Sequence, residues 1–267
     1  MEAEQTPRGE IGPTESDGEE PSVRGAETDQ SGGGSTSSRK RVSGSMRRIQ
    51  DYRQRDVRYV RRRGDAWVVL GGVLVLVVCM LFVRSGEVGG VEEALFHAIN
   101  GLPGFLLVPM WLMQTIGVLV FAPLVALVAL LLRRYRLAAA VALAIPVKLL
   151  LERRVVKVLV ERQRPGTSVS DAILRDASAA GLSFPSGHAI LAFALAGLLA
   201  PYLGRVGKIV VYALAVLNGI ARIYLGAHNP LDIVGGAGLG LAIAGALNLV
   251  FGVPARRLRT VTAATRS

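Results

Sequence analysis

The feature that most constrains this chain is a series of long apolar blocks between residues 66 and 253. The hydrocarbon core of a bilayer is about 30 Å thick, and about 20 apolar helical residues cross it, with a workable range of roughly 17 to 25. The blocks that meet or approach this length are 66–83, 105–132, 137–151, 186–202, 206–225 and 231–251. We therefore predict an all-α fold, a six-helix transmembrane bundle.

Composition supports a membrane protein and gives a plan for the whole chain. Hydrophobic residues make up 51% of the sequence and the mean hydropathy is +0.42, too apolar for an ordinary soluble domain. The first residues are rich in Gly, Ser, Glu and Pro, which predicts a disordered N-terminal tail. The predicted parts are a cytoplasmic tail (1–45), a basic juxtamembrane segment (46–65), the membrane domain (66–253) and a basic cytoplasmic C-terminal tail (254–267).

The third apolar block is the least regular of the six. Pro146 lies inside it and predicts a kink, because proline cannot donate a helical hydrogen bond. The block then meets the basic pair Arg153 and Arg154, beyond which the helix could extend. The single cysteine, Cys79, lies in an apolar run, so the chain can form no intramolecular disulfide.

The distribution of charge predicts the orientation in the membrane. Eleven Lys and Arg residues lie between 39 and 63, and further basic groups follow at 133–136, 205–208 and 256–259, all on one side of the predicted bundle. By the positive-inside rule, both termini are cytoplasmic. The net charge of +11 is explained by this orientation, and we predict no nucleic-acid partner.

Three polar segments on the opposite, outer side carry the residues suited to chemistry. In the first, Lys157 and Arg164 are seven residues apart and Pro165 follows. Seven residues are about two helical turns, so we expect a helix that ends at the proline and points both cations the same way. The loop 152–185 is basic although it is predicted to be outside, so its cations need a reason other than topology.

The second segment is Pro185-Ser186-Gly187-His188 at the start of the fourth block. Ser186 can cap a helix, and Gly187 lets a ligand approach the backbone closely. Because a helix N-terminus attracts anions, this segment is a suitable seat for a phosphate.

The third segment runs from Arg222 to Asp232. Asn229 and Pro230 predict the cap and first residue of the sixth helix. His228 would then lie at the helix mouth, with Asp232 four residues further on and able to orient its ring.

Together the segments resemble the signature of the type 2 phosphatidic acid phosphatases, also called lipid phosphate phosphatases, and of their bacterial integral-membrane branch. That signature reads Lys-x6-Arg-Pro, then Pro-Ser-Gly-His, then Ser-Arg-x5-His-x3-Asp. The resemblance covers roughly residues 90 to 250. One position departs from it: Ala221 stands where the family usually has serine.

The resemblance implies a metal-independent phosphatase without a cofactor, acting through a phosphohistidine intermediate. His228 would be the nucleophile, Asp232 would hold its tautomer, and His188 would be the general acid. Phosphate would be bound by Lys157, Arg164, Ser186, Gly187 and Arg222. Ser186 and Gly187 would act through their backbone amides.

The implied substrate is a lipid phosphate whose chain stays in the bilayer. Candidates are an isoprenoid carrier phosphate or diphosphate, phosphatidic acid, and phosphatidylglycerol phosphate, with an isoprenoid of the cell envelope attractive in a bacterium. The protein would be a multi-pass cell-membrane protein with its site facing the periplasmic or extracellular side. Small residues over 235–240 favour close helix packing, either within the chain or in a homo-oligomer.

Two other classes of protein fit parts of the pattern. Vanadium-dependent haloperoxidases resemble the family at the same residues, although six membrane spans argue against that class. A non-catalytic lipid-phosphate-binding or transport protein would keep the pocket without turnover, but both histidines and all three cations are present. Phosphate release identifies the phosphatase, and halide oxidation with added vanadate identifies the haloperoxidase.

Overall fold

The computed structural model describes residues 58–175 and 177–255. The predicted N-terminal tail, most of the juxtamembrane segment and nearly all of the C-terminal tail lie outside these residues. The described part is mostly helical. Its α-helices of four or more residues are α1 (Arg63–Val83), α2 (Gly90–Asn100), α3 (Leu107–Gln114), α4 (Phe121–Leu131), α5 (Tyr135–Leu150), α6 (Pro165–Ser168), α7 (Gly187–Leu199), α8 (Arg205–Tyr224) and α9 (Pro230–Phe251).

Three helices, α1, α8 and α9, are long and apolar enough to cross a membrane. A fourth span results if α2 and the following helical stretch Gly104–Gly117, which meet at 81°, are counted together. The segment Gly187–Tyr202 and helix α4 are apolar but shorter. The helical membrane fold is thus observed, whereas the count of six spans stays a prediction.

The second apolar block does not form the single helix predicted over 105–132. Helix α3 ends at Gln114, a 3₁₀ turn covers Thr115–Gly117, and the extended residue Val118 precedes α4. A glycine among β-branched residues has low helix propensity, which explains the break in an otherwise apolar stretch. Helix α2 was not predicted at all.

The third block continues past its predicted end. Helix α5 contains Pro146 and passes into a π-helical turn, Leu151–Val156, before the last helical residues Lys157–Leu159. A π turn inserts an extra residue into the helix and is frequent at functional sites. Here the π turn places the carboxylate of Glu152 against Gly187, at the start of α7.

Helix α9 is the centre of the bundle and packs against α1 and α7. A Cβ atom on Gly238 would lie 2.7 Å from the carbonyl oxygen of Gly72, and one on Gly245 would lie 2.8 Å from that of Asp65. Backbones approach this closely only where side chains are absent. The small residues of the sixth block therefore serve packing within the chain.

The two ends of the bundle have different roles. Strand β1 (Tyr59–Val60) pairs with β2 (Val253–Pro254) in an antiparallel ladder, so the start of α1 and the end of α9 meet at one end. The first turn of α9 is at the other end, about 33 Å away for 22 residues at about 1.5 Å each. All three polar segments contribute to that second end.

Candidate active site

His228 lies in the short loop between α8 and α9 and is buried. Gly226 has φ +75°, a conformation that favours glycine and turns the chain at the end of α8. Asn229 is the N-cap of α9 and Pro230 its first residue, as predicted. The loop and the helix start together fix where the imidazole is held.

Asp232 lies beside the imidazole. Its Oδ2 is 3.6 Å from Nδ1 of His228 and accepts a hydrogen bond of 2.8 Å from the backbone N–H of Asn229. A separation of 3.6 Å is longer than a hydrogen bond, and catalytic contacts of this kind often tighten only when substrate binds. Asp232 is therefore placed to orient His228, as the spacing of four residues predicted.

The surroundings keep His228 neutral. Burial has the largest effect and lowers the pKa of His228 below its ordinary value, because a charged imidazole is poorly solvated there. Asp232 acts in the opposite direction, while the positive charges of Arg222 and Arg164 lower the pKa further. A neutral imidazole at neutral pH is the form that can act as a nucleophile.

The start of α7 faces the same site and corrects one prediction. Ser186 is the N-cap, and its Oγ accepts a hydrogen bond of 3.5 Å from the N–H of Ala189. Its own N–H, predicted to bind phosphate, donates instead to the carbonyl oxygen of Asp232 at 3.0 Å. This amide joins α7 to α9, and Gly187 is the remaining candidate amide donor.

Gly187 has no room for a side chain. A Cβ atom there would lie 2.7 Å from Oε1 and 2.9 Å from Oε2 of Glu152. The Glu152 carboxylate therefore lies directly against the helix start where phosphate was predicted to bind.

Two lysines hold this carboxylate, and the three residues are named the Glu152 cluster. Nζ of Lys148 is 2.6 Å from Oε2, and Nζ of Lys157 is 3.0 Å from Oε1. With two cations and one anion, the cluster has a formal charge of +1. Lys148 and Glu152 were not predicted as site residues, although ionisable residues at the end of an apolar block were a usable signal.

Arg164 is reached by a different route from the one predicted. The helix that carries Lys157 ends at Leu159, Val160 is extended, and Pro165 begins α6 instead of ending a helix. The residue before a proline avoids helical geometry, and proline suits the first helical position. The Nε atom of Arg164 is buried without a hydrogen-bond partner among the described residues.

Arg222 lies in the last turn of α8 and is buried. Its guanidinium contacts Oε1 of Gln114, a residue that sequence analysis missed because the helix break after α3 was not foreseen. Nδ2 of Asn218 donates to the carbonyl oxygens of Met113 and Gln114, both at 3.0 Å, and so fixes that break against α8. Ala221, in the usual serine position, is fully buried.

A second charged group, named the Arg162 cluster, lies behind Asp232. Arg162 is fully buried and donates to Oε1 and Oε2 of Glu92 at 2.9 and 2.6 Å and to Oδ1 of Asp232 at 3.1 Å. Its formal charge is −1, from Glu92, Asp232 and one arginine. Glu92 and Arg162 are 70 residues apart, and no local pattern joined them.

The predicted site residues thus meet at one end of the bundle. Asp232 contacts His228 and Ser186, and Lys157 reaches Gly187 through Glu152. The positive charges of Arg222 and Arg164 act on His228, and His228 in turn acts electrostatically on His188.

Residues 133–253 match the model of the PAP2 superfamily. Phosphatidylglycerophosphatase B of Bacillus subtilis (strain 168) is 35% identical over 100 residues, which cover 34% of this chain and 46% of that protein. The chain therefore matches about half the length of this curated relative.

A solved structure shares the fold. A crystal structure of a transmembrane PAP2-type phosphatidylglycerolphosphate phosphatase from Bacillus subtilis aligns with a TM-score of 0.59 at 23% identity, covering 68% of this chain and 94% of that one. LpxE of Aquifex aeolicus aligns with a TM-score of 0.49 at 25% identity, covering 61% and 98%. At 23% identity, the first alignment shows the fold alone.

Proposed function

Because residues 133–253 match the model of the PAP2 superfamily, we propose that the chain is a membrane phosphatase that hydrolyses a lipid phosphate at the site around His228. The observation that carries the proposal is the buried, neutral His228, held between Asp232 on one side and the charges of Arg222 and Arg164 on the other. A nucleophile beside an orienting carboxylate and fixed cations is the arrangement that phosphoryl transfer requires.

The proposed reaction has two steps. In the first, Nε2 of His228 attacks phosphorus, an N–P bond forms, and the P–O bond to the lipid breaks while His188 gives the leaving oxygen a proton. In the second, His188 takes a proton from water, the water oxygen bonds to phosphorus, and the N–P bond breaks to release phosphate. Nδ1 of His228 keeps its proton toward Asp232 in both steps.

The cations would stabilise the charge on the equatorial oxygens of the transferring group. Fixed positive groups in a water-poor site are effective there because they need no reorganisation during the reaction. The positive charges of Arg164 and Arg222 act on His228. Lys157 is paired with Glu152, and the carboxylate of Glu152 lies against Gly187. No step requires a metal ion or an organic cofactor.

The substrate class follows from where the site is. The site lies at the end of apolar helices that can cross a bilayer, so a phosphate at the membrane surface could enter it while the lipid chain stays among the helices. The name of the Bacillus subtilis relative makes phosphatidylglycerol phosphate the first substrate to test. Phosphatidic acid and a prenyl diphosphate are the other two.

Phosphate release by the purified, detergent-solubilised protein tests this function. We expect release from at least one of the three lipids without added metal, and we expect His228→Ala to reduce it to background. No release from any of them, by protein that retains its helical circular dichroism and elutes as one species, would overturn the proposal.

We also propose that the site faces outside and the termini the cytoplasm, on the basis of the basic residues at the β1–β2 end. A Cys79→Ser background allows single cysteines to be placed at exposed positions of each end, Ser178→Cys near the site and Arg205→Cys at the start of α8. A membrane-impermeant maleimide should label the first and not the second in intact cells. The reverse pattern would invert the orientation.

A further inference from the structure

The Arg162 cluster includes two residues that no part of the proposed reaction uses. Arg162 is fully buried, so it cannot touch substrate, yet both its backbone and its guanidinium are held by hydrogen bonds. Its carbonyl oxygen accepts hydrogen bonds from the N–H of Ser183 at 2.8 Å and from Ser183 Oγ at 3.3 Å. Burying a guanidinium is costly unless its charge is paired, and here its two terminal nitrogens donate to the carboxylates of Glu92 and Asp232.

The geometry of the cluster restrains the Asp232 carboxylate. Oδ1 accepts from Arg162 at 3.1 Å, and Oδ2 accepts from the Asn229 amide at 2.8 Å and faces His228. With each oxygen engaged by a different partner, the carboxylate cannot rotate away from the imidazole.

Glu92 fixes the other side of Arg162. It accepts two hydrogen bonds from the guanidinium, and its Oε1 also accepts from the N–H of Leu231 at 2.8 Å. The last contact places a carboxylate at the N-terminus of α9, where the helix dipole favours negative charge. Glu92 therefore ties α2 to the helix that carries Asp232.

We propose that Arg162 and Glu92 are positioning residues for the nucleophile: together they fix the Asp232 carboxylate and set the negative charge behind His228. The proposal rests on the proposed function. When Nε2 bonds to phosphorus, the imidazole gains positive charge, and a cluster with a formal charge of −1 stabilises it. With either residue lost, the imidazole would have a differently oriented or differently charged neighbour.

The test must allow for every charged group around His228. Asp232 approaches from α9, Arg222 from α8, Arg164 from the loop before α6, and His188 from the start of α7. None of these is changed in the Glu92 and Arg162 variants that are titrated, so a shift in the pKa of His228 reports the cluster.

The first variant, Glu92→Gln, keeps the size of the side chain but changes the cluster charge from −1 to 0. The second, Glu92→Gln with Arg162→Gln, restores a cluster charge of −1, which Asp232 alone then carries. It removes the guanidinium that fixes the Asp232 carboxylate. The chain has three histidines, so ¹⁵N-histidine labelling with His97→Gln and His188→Gln for assignment gives the pKa of His228 by NMR without any turnover.

We expect the pKa of His228 to fall by about 0.5 to 1 unit in Glu92→Gln and to return to its original value in the double variant. With the lipid found above, kcat should fall about tenfold in the first variant and stay low in the second, because restored charge does not restore orientation. A purely structural role would not move the pKa down and back.

A conservative variant covers the case in which Glu92→Gln does not fold. Arg162→Lys keeps the charge but not the two-pronged guanidinium, so kcat should fall with the pKa of His228 unchanged. Arg175→Lys is the matched control, since among the described residues Arg175 donates only to carbonyl oxygens, of Asn100, Leu102 and Tyr224.

The outcomes are distinguishable. Any one of three results would overturn the positioning role. The pKa of His228 does not move in Glu92→Gln, it fails to return in the double variant, or kcat is unaffected by Arg162→Lys. If no lipid phosphate is hydrolysed but the titrations behave as stated, the proposed function fails and the charge relation between the cluster and His228 stands.

Discussion

The two charged clusters of the site have opposite compositions. The Arg162 cluster has one cation between two carboxylates and lies behind His228, whereas the Glu152 cluster has one carboxylate between two cations and lies against Gly187. Arg162 and Asp232 are fully buried, while Lys157 keeps about a fifth of its side chain exposed, 21%. The Arg162 cluster, here called the inner cluster, is closed to ligands. The Glu152 cluster, the outer cluster, includes a partly exposed lysine that a ligand can reach.

Under the proposed reaction, this difference would divide the work of phosphoryl transfer between the clusters. Negative charge behind the nucleophile stabilises the imidazole as it becomes positive, and positive charge in front attracts the phosphate oxygens. The Glu152 carboxylate is paired with Lys157, the cation that we propose binds phosphate. The inner cluster would thus act on kcat and the outer cluster on phosphate binding.

The largest expected effect comes from Asp232→Asn, which removes the orienting charge. We expect kcat to fall by about 10³ to 10⁴, as for orienting carboxylates beside catalytic histidines. Because Asp232 raises the pKa of His228, the acid limb of kcat/KM should move to lower pH as the residual activity is titrated.

The control for this variant is Glu93→Gln, which makes the same chemical change on a partly exposed residue of α2. It should leave both kcat and the acid limb in place. An Asp232→Asn enzyme with its acid limb at higher pH than the original would contradict the assignment of Asp232 as the partner of His228.

The next largest effect is expected for Lys157→Met, which removes a cation from the outer cluster. We expect kcat/KM to fall by about 10² to 10³, with the acid limb moved less than in Asp232→Asn, because Lys157 pairs with Glu152 and not with His228. Steady-state kinetics across pH measures both. Lys208→Met, at the opposite end of α8, is the matched control. An equal loss there would mean that Lys157 does not bind phosphate.

The contrast between the clusters also explains what sequence could predict. His188, His228 and Asp232 lie within local motifs whose spacing follows from helix caps and turns, so they were predicted together with the ends of α7 and α9. The partners Glu92 and Arg162 belong to segments 70 residues apart, and only the tertiary fold brings them together.

Errors in the predicted fold have a local physical origin. Apolar blocks predicted helices well where hydropathy and helix propensity agree, as in α1, α8 and α9. They failed at Thr115–Gly117, where an apolar stretch has poor helix formers. The helix predicted from the spacing of Lys157 and Arg164 failed after Leu159, where the chain becomes extended before Pro165. The Ser186 amide could not be assigned either, because its partner, the Asp232 carbonyl, belongs to another helix.

A smaller effect is expected for Gly187→Ala, which tests how closely the outer cluster is fitted. The new Cβ would lie 2.7 Å from Oε1 of Glu152, so the carboxylate must move and take Lys157 with it. We expect kcat/KM to fall about tenfold, through small displacements of this kind. Gly71→Ala is the control, because a Cβ there meets nothing within 4 Å. Full activity of Gly187→Ala would show that Glu152 moves without consequence.

The smallest effect, and the one with the opposite sign, is expected for Glu152→Gln. Removing this carboxylate raises the cluster charge from +1 to +2 and frees Lys157 from its 3.0 Å ion pair, so phosphate no longer competes with an internal anion. Inorganic phosphate should then inhibit about three- to tenfold more strongly, which a product-inhibition titration measures.

Glu161→Gln removes an exposed carboxylate from the neighbouring loop and serves as the control, for which we expect the same inhibition as the original protein. Weaker inhibition in Glu152→Gln would mean that the carboxylate holds Lys157 in its binding position instead of competing with phosphate. The two clusters would then share one role, since a carboxylate would orient a working residue in each: Asp232 the nucleophile, and Glu152 the cation that binds phosphate.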